Sequence, residues 1–172
     1  MRALPAPTGL DPYATLVVRT GHHDAAAWRA VVAELRATAD APGGEPAVLL
    51  LDDPVWADAT VEEVVAALRG DEDRGVVFLA DADTLRGPSH PLLAATLVTR
   101  QECEDDEEYA AHVEFGAAFR VTPAMSHDVH ANVALGNLGF EEFAARAAEA
   151  ADGVLRPFLP VAHPGRGART LP

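Results

Sequence analysis

Three short apolar runs, spaced by amphipathic stretches, constrain this chain more than any other feature. Thr15-Leu-Val-Val-Arg-Thr20, Ala47-Val-Leu-Leu-Leu51 and Val76-Val-Phe-Leu-Ala80 are rich in branched residues and stop at Gly21, Asp52 and Asp81. Continuous apolarity of this kind suits strands buried on both faces rather than strands with one wet side. Between the first two, Asp24 stands as an N-cap ahead of residues 25–37, where Trp28, Val31, Val32 and Leu35 recur at helical spacing. Between the second and third, Thr60-Val-Glu-Glu63 forms a capping box that opens a helix carrying Val61, Val64, Val65 and Leu68. The order β-α-β-α-β predicts a parallel sheet with right-handed crossovers and helices on both faces.

The second half is less regular. Residues 92–98 read as a fourth strand and 103–119 as a helix with a strongly acidic first turn. Residues 119–122 and 129–135 read as two more strands, and 140–151 as a last helix with Phe140, Phe143, Ala144 and Ala147 on one face. The fold expected is a single α/β domain, a mixed sheet with a parallel βαβαβ first half. Residues 1–13 form a proline-rich N-terminal arm, 14–155 the domain, and 156–172 a proline-rich arm whose charges are Arg156, Arg166 and Arg169 without an acid. A chain of 172 residues buries enough of its surface to fold without staples.

Charge narrows the function. Thirteen basic residues stand against 27 acidic ones, a net charge of −14, so polyanions are repelled. Nucleic acid and anionic membrane are thereby excluded as partners, because both need a basic footprint. Every basic residue is arginine; without lysine there is no Schiff-base nucleophile and no P-loop lysine. Cys103 is the only cysteine, which rules out an intrachain disulfide and any multi-cysteine metal site and fits a reducing cytoplasm. No apolar run reaches membrane-spanning length, and the opening decapeptide lacks the apolar core of a signal peptide.

Parallel strands bring their carboxyl-end loops to one edge, where ligands bind in open α/β sheets. His22, His23, Asp52, Asp53, Asp81 and Asp83 would gather there. Mixed histidine and carboxylate sets suit zinc, iron or manganese, and oxygen-rich loops suit magnesium, so His22, His23, Asp52 and Asp81 are the candidate ligands of a divalent metal. The plain alternative makes Asp24 a helix cap and Asp53 and Asp83 turn formers. The acidic strand ends resemble those of phosphoacceptor receiver domains. Those also require a lysine at a later strand end, and here the resemblance fails.

A second cluster is Ser126-His-Asp-Val-His-Ala-Asn132. On a helix His127 and His130 would share a face; on a strand Asp128, His130 and Asn132 line up, making His130 an oriented general base. The alternation of Val129, Ala131, Val133 and Leu135 favours the strand. The alternative is a solvated strand face with one satisfied histidine. His112, one turn after Glu108, is read as an exposed helix pair. Carboxylates on both sides suppress the Cys103 thiolate, and Ser89 lies in a proline-bounded loop rather than a nucleophile elbow. A third cluster, Glu104, Asp105, Asp106 and Glu107, is either a solvated helix start or a surface that steers a basic protein.

The segments Leu10-Asp-Pro-Tyr-Ala-Thr-Leu-Val-Val-Arg-Thr20, Val77-Phe-Leu-Ala-Asp81, His127-Asp-Val-His-Ala-Asn132 and Gly139-Phe-Glu-Glu-Phe143 resemble a family of small uncharacterised proteins of streptomycetes and related actinobacteria. The resemblance implies a bacterial, cytosolic, single-domain protein and carries no catalytic role. The functional expectation is an acidic binding protein, immunity- or antitoxin-like, for a basic protein partner. The rival is a small enzyme or ligand sensor that uses the strand-end acids and histidines or His130.

Overall fold

Strand β1 (Thr15–Arg19) is buried along its whole length. Its neighbours explain why: β2 (Val48–Leu51) and β3 (Val76–Ala80) flank it, both parallel to it, with Val17 opposite Leu50 on one side and Phe78 on the other. The structure, a computed structural model, describes residues 2–39, 48–69 and 74–157. Strand β4 (Leu92–Thr96) pairs antiparallel with β3, β5 (Ala118–Val121) antiparallel with β4, and β6 (Val154–Leu155) parallel with β5. The six-stranded mixed sheet has the order β2-β1-β3-β4-β5-β6, and the protein is a single α/β domain. Strand β4 alone opposes the others, so β1, β2, β3, β5 and β6 all end on the same edge.

The reversal at β4 follows from a link that never leaves that edge. Asp81 caps the five-residue helix α3 (Ala82–Arg86) of the link, and the Thr84 hydroxyl donates to the Pro91 carbonyl at 2.8 Å, fastening the two ends of the link together. A parallel return would need a crossover spanning the full strand length.

Helices cover both faces. α1 (Ala25–Ala39), α5 (Pro123–Ala134) and α6 (Phe140–Glu149) bury Trp28, Val31, Leu35, Met125, Val129, Phe140 and Phe143 against Val17, Phe78, Ala94 and Phe119. α2 (Val61–Leu68) and the 3-10 turn Pro54–Trp56 bury Val64, Leu68 and Trp56 against Leu16, Val18, Val77 and Leu79. Both caps read from sequence are present: Asp24 accepts from the Ala26 and Ala27 amides at 2.9 Å, and Thr60 and Glu63 exchange hydrogen bonds of 3.3 Å. The N-terminal arm lies on the α2 face, where Leu4 and Leu10 pack, and Arg74 donates to the carbonyls of Asp11 and Ala14.

Two expectations are corrected. Residues 129–135 are not a strand but the greater part of α5: Pro123 takes the first helical position, and the buried residues Met125, Ser126, Val129 and His130 recur at helical spacing, while Leu135 stays 68% exposed. The helix expected over 103–119 shrinks to α4 (Asp106–His112), because Asp105 caps it through the Glu107 and Glu108 amides and Gly116 adopts φ +101° beyond it. The short elements α3 and β6 carry too few residues for a periodic signal and were not expected. Of the C-terminal arm, Arg156 pairs with Asp152 at 2.6 Å, whereas Arg166 and Arg169 lie outside the described residues. Among the described residues no helix is long and apolar enough to cross a membrane.

Gly21 sets how closely the ends of β1 and β3 approach. Its amide donates to the Ala80 carbonyl at 2.8 Å, and an added Cβ would stand 2.7 Å from the Asp81 carbonyl carbon and oxygen. Gly21→Ala is expected to cost about 1–3 kcal/mol, read as a lower urea midpoint with unchanged slope.

Candidate functional site at the carboxyl edge of the sheet

Arg19 closes an apolar strand and is itself 9% exposed, so its charge requires a partner. Asp52, just past the end of β2, supplies it: Arg19 Nη1 donates to Asp52 Oδ1 at 3.0 Å, Trp28 Nε1 donates to Oδ2 at 2.8 Å, and the guanidinium lies over the Trp28 ring at 5.2 Å. Arg19 Nε donates to the Gly21 carbonyl, and His22 Nε2 donates to the Arg19 carbonyl, both at 3.0 Å. One arginine thereby joins β1, β2, α1 and the loop that follows β1.

A second pair mirrors the first at the end of β3. Arg120 in β5 reaches across β4 and grips Asp81 with two parallel hydrogen bonds, Nη1 to Oδ1 at 2.9 Å and Nη2 to Oδ2 at 2.7 Å, with Asp83 Oδ2 at 3.5 Å. Asp81 Oδ1 also accepts the Thr84 amide at 2.9 Å, which caps α3. Burial works to raise the Asp81 pKa, but the hydrogen bonds and charge of Arg120 together with the Thr84 amide prevail and hold it below the ordinary carboxylate value. His90 stands at φ 45° and its Nδ1 donates to the Thr84 carbonyl at 3.1 Å.

The edge thus distributes the expected ligands. Asp52 and Asp81 each face an arginine, His22 turns to a backbone carbonyl, and His23 is exposed. Asp53 caps the 3-10 turn through the Val55 amide at 2.8 Å. Among the described residues no three of histidine, cysteine, aspartate and glutamate stand together as a metal-holding set.

Helix α5 separates the second cluster. Asp128 is exposed, and Asn132 Nδ2 donates to its backbone carbonyl at 2.8 Å one turn on. His130 points the opposite way into the core, 1% exposed, with neither ring nitrogen hydrogen-bonded among the described residues. His127 approaches the Thr15 hydroxyl at 3.4 Å. Burial, then Arg74 and His127, push the His130 pKa down, against the backbone of Tyr13 and Pro12, so the imidazole is held neutral.

A third arrangement lies where α4 meets α6. His112 Nε2 and the Thr96 hydroxyl are 2.7 Å apart, and His112 Nδ1 stands 3.4 Å from Glu141 Oε2. Glu141 only accepts and the Val98 amide already donates to Thr96 at 3.1 Å, so the pattern assigns Nδ1 as protonated and the Thr96 hydroxyl as donor to Nε2. A cavity of about 380 Å³ adjoins it, lined in part by His112, Glu141, Glu102, Glu108 and Cys103. Burial and Glu108 raise the Cys103 pKa, against Arg100, which leaves the thiol a poor nucleophile. The acidic run beside this cavity is exposed throughout residues 104–108. Asp105 caps α4, Asp106 pairs with Arg100, and Glu108 accepts the Glu104 amide.

Sequence reasoning passed over Arg19, Arg120, Trp28, Thr96 and Glu141. For the arginines a signal was present: a cation inside an apolar strand demands a carboxylate at a neighbouring strand end. For Thr96 and Glu141 there was none, because their meeting depends on how α4 and α6 dock.

The fold and its edge define a small α/β protein whose strand-end carboxylates are closed by its own arginines. The chain belongs to the family described as domain of unknown function DUF6924, which matches residues 14–158. No curated protein and no solved structure matches it.

His130 gives the site a pH signature. The unfolded chain protonates this imidazole near 6.5 and the folded chain only at lower pH, so stability is full above that value and falls as pH drops through it. In His130→Leu the decline between pH 7 and the folded-state value should vanish, with stability at neutral pH unchanged or raised by up to ~2 kcal/mol. Thermal melts across that range would show it; an unchanged slope would contradict it.

Proposed function

We propose that this protein is an acidic cytoplasmic binding protein of actinobacteria, immunity- or antitoxin-like, that neutralises a basic protein partner and takes neither nucleic acid nor membrane. One observation carries the reading: in the exposed run 104–108 the Glu104 and Glu107 side chains make no hydrogen bond or ion pair among the described residues. Their charge is directed at solvent, on a chain of net charge −14, where it accelerates encounter with a cationic surface. The commitment of Asp52 and Asp81 to Arg19 and Arg120 supports it further, since the customary ligand edge of the fold is occupied by internal pairs.

A second reading, a small enzyme, draws on the Thr96–His112–Glu141 chain, with Thr96 as nucleophile and His112 as base. It ranks below the first because Thr96 is only 5% exposed.

Native mass spectrometry of the protein isolated from its own cells at low ionic strength tests the binding reading. It predicts a complex with one basic protein, lost at high salt and absent for Glu104→Lys/Glu107→Lys, a double variant that spares the cap at Asp105 and the pair at Asp106. A bare chain, or a complex indifferent to both salt and charge reversal, would contradict it.

A further inference from the structure

Between α2 and the segment after β4 runs a groove of about 370 Å³, the size of a site for a small organic molecule. Val61, Val65, Val98 and Ala117 give it aliphatic walls, and Arg69 and Arg100 also line it. Two cations on one concavity stand out in a chain with a large excess of acid. They are not equivalent. Arg100 is paired with Asp106 and donates to the Cys103 carbonyl at 3.4 Å. Arg69, the residue that ends α2, is exposed and makes no hydrogen bond or close ion pair among the described residues, although its charge is felt by Glu102 nearby. The Tyr109 hydroxyl in the same lining also makes no hydrogen bond there.

We propose that this groove binds a small organic monoanion, a carboxylate on an apolar body, anchored by Arg69. The guanidinium fork matches a carboxylate in two parallel hydrogen bonds, and Tyr109 supplies a further donor. The aliphatic walls receive the body of the ligand. Glu62 also lines the groove and Glu102 lies near Arg69, and their negative charge weighs more against a phosphate dianion than against a carboxylate monoanion. The groove borders the acidic run, since Arg100 pairs with Asp106 and Tyr109 belongs to α4, so a small ligand here would sit beside the proposed protein-binding surface.

The test titrates a graded series of carboxylates, from acetate to 4-phenylbutyrate, and the uncharged amide of each into the full chain, followed by NMR. The expected result is saturable shifts at Tyr109, Val65 and Ala117 that strengthen as the apolar body grows, with the amides about tenfold weaker or worse. Arg69→Gln should weaken the carboxylates to the level of the amides while the melting temperature is unchanged, and Arg100→Gln should weaken them less. Equal affinity for acids and amides, full binding by Arg69→Gln, or no saturable shift with any member of the series would overturn the proposal.

Discussion

An arginine at the end of a buried strand is the constraint on which this structure turns. Its charge cannot be left bare among apolar side chains, so Arg19 draws in Asp52 from the next strand and the indole N–H of Trp28 from α1. Arg120 makes the same demand from the far side of the sheet and is met by Asp81, which also caps α3. These two contacts tie strands that are separated in sequence, and they do it at the edge where the loops of a parallel sheet converge. The close passage of Gly21 against the Asp81 backbone belongs to the same junction.

The first half of the fold was legible because local signals agreed with one another. Apolar runs marked β1, β2 and β3, Asp24 and Thr60 marked helix starts, and each is where its residues require. The second half misled where two periods overlapped. In residues 123–135 the alternating Val129, Ala131, Val133 and Leu135 imitate a strand, while Met125 and Val129 keep the helical spacing that burial selects. Alanine fits either pattern, and so it could not arbitrate. The site was legible in its location, the shared strand-end edge, and not in its chemistry: the acids are visible in the sequence, but their pairing with Arg19 and Arg120 depends on strand order and on the reversal at β4.

That pairing shapes the functional reading. Carboxylates gathered at a sheet edge invite comparison with metal or phosphoryl chemistry, yet here they act as counterions to the protein's own arginines. The start of α4, in contrast, carries a run of exposed acids, of which Glu104 and Glu107 make no side-chain hydrogen bond or ion pair among the described residues. Two kinds of acidic surface result, one neutralised by internal arginines and one in which part of the charge faces solvent. His130, neutral in the core beside Arg74, shows the opposite strategy for a titratable group, exclusion of charge instead of pairing.

The claim that the edge is held by internal ion pairs is tested most directly by a double-mutant cycle on Asp81 and Arg120. Unfolding free energies of Asp81→Asn, Arg120→Gln and the double variant isolate the coupling between the two side chains. A coupling of about 1–3 kcal/mol, with the double variant far less impaired than the sum of the single ones, is the predicted result. Strict additivity would contradict the account, because it would mean that Asp81 is not held by Arg120.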